Sequence, residues 1–499
     1  PHRDAAPRGP MTTPPAGPAR HGDPTAPTKA AMLLDALRSA RLPLDPLPLR
    51  GAPPSYPLLG HALAMRRDPL RFLTRLAAER GPMAPLHLGP VRGYLITGPT
   101  ELEAVFRSKA KLYTRRTRVY DAMALFLGHG ILTSEGEHWR KHRRIVQPAF
   151  HRRRLESWAD TMVALADVHM DRWRGELDLA DAMMRLTLDI VGRTLFGAAT
   201  AQDATDVGRA MDAAQRWTED LISGLFVFPP GVPTARNRRF QRAVATLDRV
   251  AYRLIDARLA ARSATRTAAP EEDGDDVLSM LVEARDEDGQ PLPRKQIRDE
   301  VITLLAAGHE TTSNALSWTL MLLSKHPEAM RRLREEVDAV LGERPPTAAD
   351  VPKLTWARWV LDESMRLYPP AWTTGRFVAE AHELGGVAMT PGTFTLLSPW
   401  VTHRDPELWD DPEGFDPARW EALSKPGALP PFQFYPFGGG PRKCVGEAFA
   451  YLEATLILAR IAQRMRLDLV PGHVVTPAPQ ITLGFEGGLK MHAAPREPS

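Results

Sequence analysis

The sequence predicts a mostly α-helical protein of the α+β kind, a helix-rich body carrying small β-sheets. Three observations point there. Most segments between Pro69 and Arg464 repeat apolar residues at three- and four-residue intervals, the period of a helix with one buried face. Strand-like alternation is confined to short stretches. One apolar run, Val301 to Leu323, is long enough to cross a domain at ~1.5 Å per residue. A doubly wound α/β fold would need strands alternating with those helices, and too few are present.

Residues 1–29 are rich in Pro, Ala, Arg and Thr without periodicity and read as a disordered tail, leaving 30–499 as one domain. The apolar stretch Ala30–Leu49 is interrupted by Asp35, Arg38, Arg41 and Asp45 and falls short of the ~20 residues of a bilayer span. Helical spacing predicts helices over Pro69–Glu79, Thr100–Phe106, His138–Val146, Leu155–Arg174, Met183–Leu195, Phe240–Ala261, Arg294–Lys325, Glu328–Leu341 and Val445–Arg464. Another starts near Pro352 and stops before Pro369-Pro370. Alternation predicts two hairpins, Met83–Leu88 with Tyr94–Thr97 and Ile481–Phe485 with Lys490–His492. Tyr120–Leu132 and Leu221–Pro233 read as apolar loops. Ser263–Asp276, with its acidic run, reads as a solvated linker.

The chain has 499 residues, 64 Lys and Arg against 60 Asp and Glu, a net charge of +4, and one cysteine. So small a surplus gives no reason to expect nucleic acid as a partner. One cysteine excludes an internal disulfide framework, a four-cysteine zinc site and a cysteine-ligated iron–sulfur cluster. No secretory pattern opens the sequence, and the cytoplasm is the expected compartment.

The cysteine stands in Phe434-Tyr-Pro-Phe-Gly-Gly-Gly-Pro-Arg-Lys-Cys444-Val-Gly446. A lone cysteine is ordinarily a small buried hydrophobe, but its neighbours argue otherwise. Consecutive glycines allow positive φ and close approach of backbone to a ligand. An apolar helix follows, and its free N–H groups, with Arg442 and Lys443, favour a thiolate. A dinucleotide-binding reading fails, because the third glycine of that fingerprint is missing.

The long apolar run carries Ala307-Gly-His-Glu-Thr-Thr312 at its middle. Polar groups there are costly unless satisfied or functional. Gly308, Thr311 and Thr312 predict a local opening of the helix. A zinc-protease reading fails because Ser313 stands where a second His is needed. Glu363 and Arg366 are three apart and share a helix face. Trp139 and Arg143 are one turn apart on a basic helix, so both can point inward.

In register, Phe437, Gly440, Arg442, Cys444 and Gly446 resemble the haem-binding signature of the cytochrome P450 family, F-x-x-G-x-R-x-C-x-G. Ala307–Thr312 resembles its A-G-x-[DE]-T-[TS] motif, and Glu363 with Arg366 its E-x-x-R pair, in the family's order. The resemblance spans residues 50–495. It implies haem b between the long central helix and the helix after the cysteine loop, with Cys444 as the axial thiolate. Phe437, Gly438, Gly446 and Ala307 would border the haem, and Trp139, Arg143, Arg376 and Arg442 would hold its propionates. Thr311, with Thr312 and Glu310, would deliver protons to dioxygen. Glu363, Arg366 and Arg419 would form a structural trio behind the cysteine loop. Phe126, Leu127, Phe226, Phe228, Trp372, Thr373 and Phe485 would line an apolar substrate pocket.

The implied activity is a monooxygenase hydroxylating or epoxidising a hydrophobic small molecule: a fatty acid, a terpenoid or another secondary metabolite. No flavin or nicotinamide motif is present, so electrons from NAD(P)H would come through a ferredoxin and its reductase, or a flavodoxin-type donor. The bases Arg140, Lys141, Arg144, Arg152, Arg153, Arg154 and Lys443 would offer a docking face. A monomer is expected. Two other readings stay open: a peroxide-driven peroxygenase or isomerase, which the acid–threonine pair disfavours, and a non-catalytic haem sensor.

Overall fold

The computed structural model describes residues 58–197, 204–223, 228–265, 276–285 and 289–497. The expected tail, the Ala30–Leu49 stretch and most of the acidic linker lie outside them. Helices of ten residues or more are, in chain order, α1 (Pro69–Arg80), α2 (Arg118–Leu127), α3 (Gly136–Val146), α4 (Arg152–Met170), α5 (Leu179–Phe196), α6 (Ala204–Ser223), α7 (Ala235–Thr265), α8 (Arg294–Lys325), α9 (Pro327–Leu341), α10 (Thr355–Leu367) and α11 (Glu447–Arg464). Local chemistry sets their ends. Asp68 accepts from the Arg71 N–H at 3.0 Å and Pro69 opens α1. Asp178 caps α5, which stops at Gly197 in the left-handed region with φ 60°.

The strands are β1 (Met83–Leu88), β2 (Val91–Ile96), β3 (Tyr113–Thr114), β4 (Gly175–Asp178), β5 (Thr374–Val378), β6 (His382–Leu384), β7 (Val387–Met389), β8 (Phe394–Leu397), β9 (Met465–Leu469), β10 (Pro477–Pro479), β11 (Leu483–Phe485) and β12 (Lys490–Pro495). The largest sheet runs β1-β2-β8-β5-β3; the others are β4-β12-β9, β10-β11 and β6-β7. The first expected hairpin forms, with Met83 opposite Ile96. The second does not. β11 pairs with β10, whereas β12 pairs with β9 and β4. Gly487 and Gly488, at φ 75° and 82°, turn the chain away between them, and the Leu489 N–H is taken by Asp178 at 3.0 Å.

α8 crosses the centre of the molecule and is buried from Ile297 to Leu323 except where residues 307, 308, 310 and 311 come up. Its most extensive partner is α5. The Thr187 hydroxyl donates to the His309 carbonyl at 2.9 Å across that contact. α11 packs against α4, α9, α8 and α10, so the helix after the cysteine loop is as central as α8.

Two expected loops are corrected. Tyr120–Leu132 is largely helix α2, whose Ala122, Met123, Phe126 and Leu127 are buried at helical spacing. Arg298 of α8 closes its end by donating to the Phe126 and Leu127 carbonyls at 2.9 and 3.1 Å. Leu221, placed in a loop, belongs to α6, which the sequence reading missed. Among the described residues, no helix is long and apolar enough to cross a membrane.

Candidate active site

A cavity of about 1700 Å³ opens between the middle of α8 and the loop before α11. The loop contributes Phe437, Gly438, Cys444 and Gly446 to its wall; α8 contributes Ala307, Glu310, Thr311 and Thr312. The glycines have a steric cause. Gly440 holds φ +63°, and a Cβ there would lie 1.6 Å from the Phe106 carbonyl oxygen. Phe106 in turn stacks on Phe432 at 5.2 Å, flooring the loop. The Cys444 N–H donates to the Phe437 carbonyl at 3.0 Å.

Cys444 is enclosed by the fold yet accessible, because it faces the cavity instead of a packed neighbour. Burial pushes its thiol pKa up, while the Gly446 N–H, Arg143 and Lys443 pull toward thiolate. Nearby cations therefore do not by themselves create the thiolate that the sequence suggested. Coordination to a metal deprotonates a thiol outright.

Arg115, Arg376 and Arg442 converge on one edge of the cavity. Burial and the Arg115 charge bring Arg376 down to about 9 and Arg442 down to about 10. Arg442 pairs with Glu135 at 3.2 Å and lies over the Trp139 ring at 4.0 Å. Even so, Arg442 Nη1 and Arg115 Nε are buried with no partner among the described residues. Crowded guanidiniums with orphaned N–H groups call for an anionic ligand, and carboxylates match them. Tyr120 adjoins the group. Its burial is outweighed by Arg115 and Arg376, which lower the phenol to about 8.

Ala307 is exposed within a buried helix because it faces the cavity. Thr311 donates to the Ala307 carbonyl at 2.8 Å and Thr312 to the Gly308 carbonyl at 3.3 Å. The expected opening of α8 is absent: the hydroxyls bond back one turn and the helix stays α throughout. Gly308 serves packing instead, since a Cβ there would lie 3.0 Å from Val191 of α5. Glu310 accepts from the Thr482 hydroxyl at 2.5 Å and from the Gln215 amide of α6. Burial raises its pKa against these two bonds. Glu219, one turn beyond Gln215, also lines the cavity and is pushed up to about 7, first by burial.

Glu363 and Arg366 are fully buried and bonded at 2.9 Å twice over. Arg419 adds 3.0 Å to the same carboxylate, and the Trp420 indole N–H donates to it at 2.9 Å. Arg366 also donates to the carbonyls of His403, Pro412 and Gly414. One network thus ties α10 to the strand-free segment leading to the cysteine loop.

Of the expected pocket residues, Phe126, Leu127, Trp372 and Thr373 line the cavity. Phe485 does not; its ring stacks on Trp318 at 4.0 Å. Phe228 points outward, 64% exposed, and Phe226 lies outside the described residues. Arg143 is not in the wall either. It donates to the Lys443 carbonyl at 2.8 Å and to Gln147 at 3.0 Å, on the Cys444 side of the loop. Trp139 reaches the cavity only through Arg442. Arg115, Tyr120, Gln215, Glu219 and Thr482 were missed. The last is 172 residues from Glu310, and no local pattern marks it. Of the expected docking bases, Arg140, Arg152 and Lys443 pair with Glu137, Glu156 and Glu447, and Arg154 is half-buried against Met280.

The fold and this cysteine-centred cavity define a haem-thiolate protein. The sequence matches the Cytochrome P450 family over residues 51–486, and the chain belongs to that family. It is 39% identical to cyclooctatin synthase of Streptomyces melanosporofaciens, over 89% of this chain and 95% of that one. It is 37% identical to cyclooctat-9-en-7-ol 5-monooxygenase of the same organism, over 87% and 93%. It is 34% identical to pentalenene oxygenase of Streptomyces avermitilis, over 90% and 97%. The protein is a cytochrome P450 monooxygenase, and the family binds haem through a cysteine thiolate.

Proposed function

We propose that Cys444 is the axial ligand of haem in this cavity and that the enzyme oxygenates a terpenoid. The observation that carries the first half is the pairing of features on one cavity: a thiol facing it, and at its edge three crowded guanidiniums, two of which, Arg115 and Arg442, hold a buried N–H without a partner among the described residues. Arg115, Arg376 and Arg442 would hold the two propionates, with Trp139 stacked behind Arg442. Arg143 supports the Lys443 carbonyl and the thiolate charge. When bound, haem iron supplies the activation of dioxygen and the oxidation of the substrate's C–H or C=C bond.

The remaining work belongs to the chain. Thr311 presents a hydroxyl at the cavity wall. Glu310, kept protonated more readily by burial, holds a proton one residue away. Gln215 and Thr482 hold that carboxyl in place. Phe126, Leu127 and Trp372 exclude water around an apolar substrate.

The terpenoid reading rests on the names of the three relatives, two of which are called cyclooctat-9-en-7-ol 5-monooxygenase and pentalenene oxygenase. Electrons would arrive from NAD(P)H through a ferredoxin and its reductase, or a flavodoxin-type donor, docking beside Lys443 and α3. The test is a spectral titration of purified enzyme with cyclic terpenes, fatty acids and macrolides, followed by turnover with the donor chain. Tight low-micromolar shifts confined to terpenes, with donor-dependent product, support the reading. Preference for fatty acids, or turnover by peroxide alone, contradicts it.

A further inference from the structure

The α6 side of the cavity carries polar groups that an apolar substrate leaves unused. Gln215 and Glu219 are four residues apart on α6, so they share one helix face, and both line the cavity half-buried. Elsewhere the wall includes Met123, Phe126, Leu304 and Trp372. Gln215 spends one end of its amide on Glu310. The other oxygen of Glu310 takes the Thr482 hydroxyl at 2.5 Å, and Thr482 in turn takes the Asn314 amide at 3.0 Å. That chain fixes how the Gln215 amide is turned and leaves its oxygen without a partner among the described residues. Glu219 is tethered by the Ile481 N–H at 3.4 Å. Burial keeps its carboxyl protonated up to about pH 7, so it has a proton to give. A ligand of carbon and hydrogen alone displaces solvent from this amide and carboxyl and returns no bond. A hydroxyl donates to the one and accepts from the other.

We propose that Gln215 and Glu219 form a recognition site for a hydroxyl already present on the substrate, so that the enzyme oxygenates a terpenoid alcohol and not a terpene hydrocarbon. The terpenoid skeleton rests on the reading above, while the hydroxyl rests on α6 alone. Gln215 is joined to α8 through Glu310, the neighbour of Thr311, so the anchored hydroxyl sets which carbon is presented beside Thr311. The anchored hydroxyl is kept. One atom of dioxygen enters a C–H bond elsewhere, the other leaves as water with the donor's two electrons and two protons, and the product is a diol. An earlier hydroxylation, or a cyclisation that ends by capturing water, must supply such a substrate.

The experiment is a spectral titration of the holoenzyme at about pH 6.5, below the Glu219 titration. The ligands are cedrene, cedrol and cedryl methyl ether, abietadiene and abietadienol, and dodecane and dodecanol. In wild type, a terpene alcohol is expected to bind about tenfold or more tightly than its hydrocarbon, and the methyl ether, which has no proton to give Gln215, to bind like the hydrocarbon. In Gln215→Leu and in Glu219→Leu the alcohol loses that advantage while the hydrocarbon binds as well as before or better. A merely structural role would weaken both ligands alike. Equal binding of hydrocarbon and alcohol in every series overturns the proposal, as does an ether that binds like the alcohol or an alcohol preference that survives both substitutions. Dodecanol favoured over dodecane, with no shift from any cyclic terpene, contradicts the terpenoid reading and upholds the hydroxyl site.

Discussion

At the scale of single residues, the site is built from groups whose ordinary chemistry is altered by where the fold puts them. Arg442 is the clearest case. It is clamped by Glu135, Trp139 and the Ser134 carbonyl and still leaves Nη1 without a partner among the described residues. Each charge-assisted bond it would make to a propionate is worth about 1.5–3 kcal/mol. Arg442→Leu is therefore expected to weaken haem retention about tenfold or more, read by haem transfer to a scavenger protein. Unchanged transfer would remove Arg442 from the propionate set. Thr311→Ala takes away the hydroxyl that faces the cavity and leaves the helix intact. Severalfold more peroxide per electron is expected, and unchanged coupling would deny Thr311 a part in proton delivery. These residues were legible in the sequence because each lies in a dense local motif. Arg115, Gln215 and Thr482 were not, because their roles come from long-range packing that no spacing encodes.

At the scale of elements, the Glu363–Arg366–Arg419 network joins α10 to the chain that leads into the cysteine loop. Glu363→Gln leaves the buried Arg366 charge without its carboxylate. Losing one partner of a buried pair costs about 3–5 kcal/mol. A fall of that size in urea-unfolding stability is expected, and a change below about 1 kcal/mol would contradict the structural role. Helices were largely legible, α8 to the residue, because apolar period and flanking prolines agree there. α2 was read as a loop because its apolar run masked the helical spacing, and its end is closed by Arg298 from a distant helix. The second hairpin failed for a related reason. β12 finds its partners in β4 and β9, far away in sequence, and neighbouring strands leave no local trace of such pairing.

At the scale of the whole molecule, the cavity is apolar with an acidic roof. Glu219 is raised to about 7 by burial, with Glu310 and Asp212 adding repulsion against the Ile481 N–H and Arg216. A carboxyl raised above its unfolded value contributes stability that is whole below the ordinary carboxylate range and is lost as pH rises through about 7. The same titration charges the roof, so affinity for an apolar ligand should fall between about pH 6 and pH 8. Glu219→Gln should flatten that profile in a spectral titration; an unchanged slope would assign the dependence elsewhere. The central claim is that Cys444, the one cysteine of 499 residues, is the thiolate that defines the enzyme. The most direct measurement is the Soret band of the reduced carbonyl complex in wild type and in Cys444→Ser. A strongly red-shifted band in wild type and its loss in the serine variant are predicted. Survival of that band without the thiol would contradict the account.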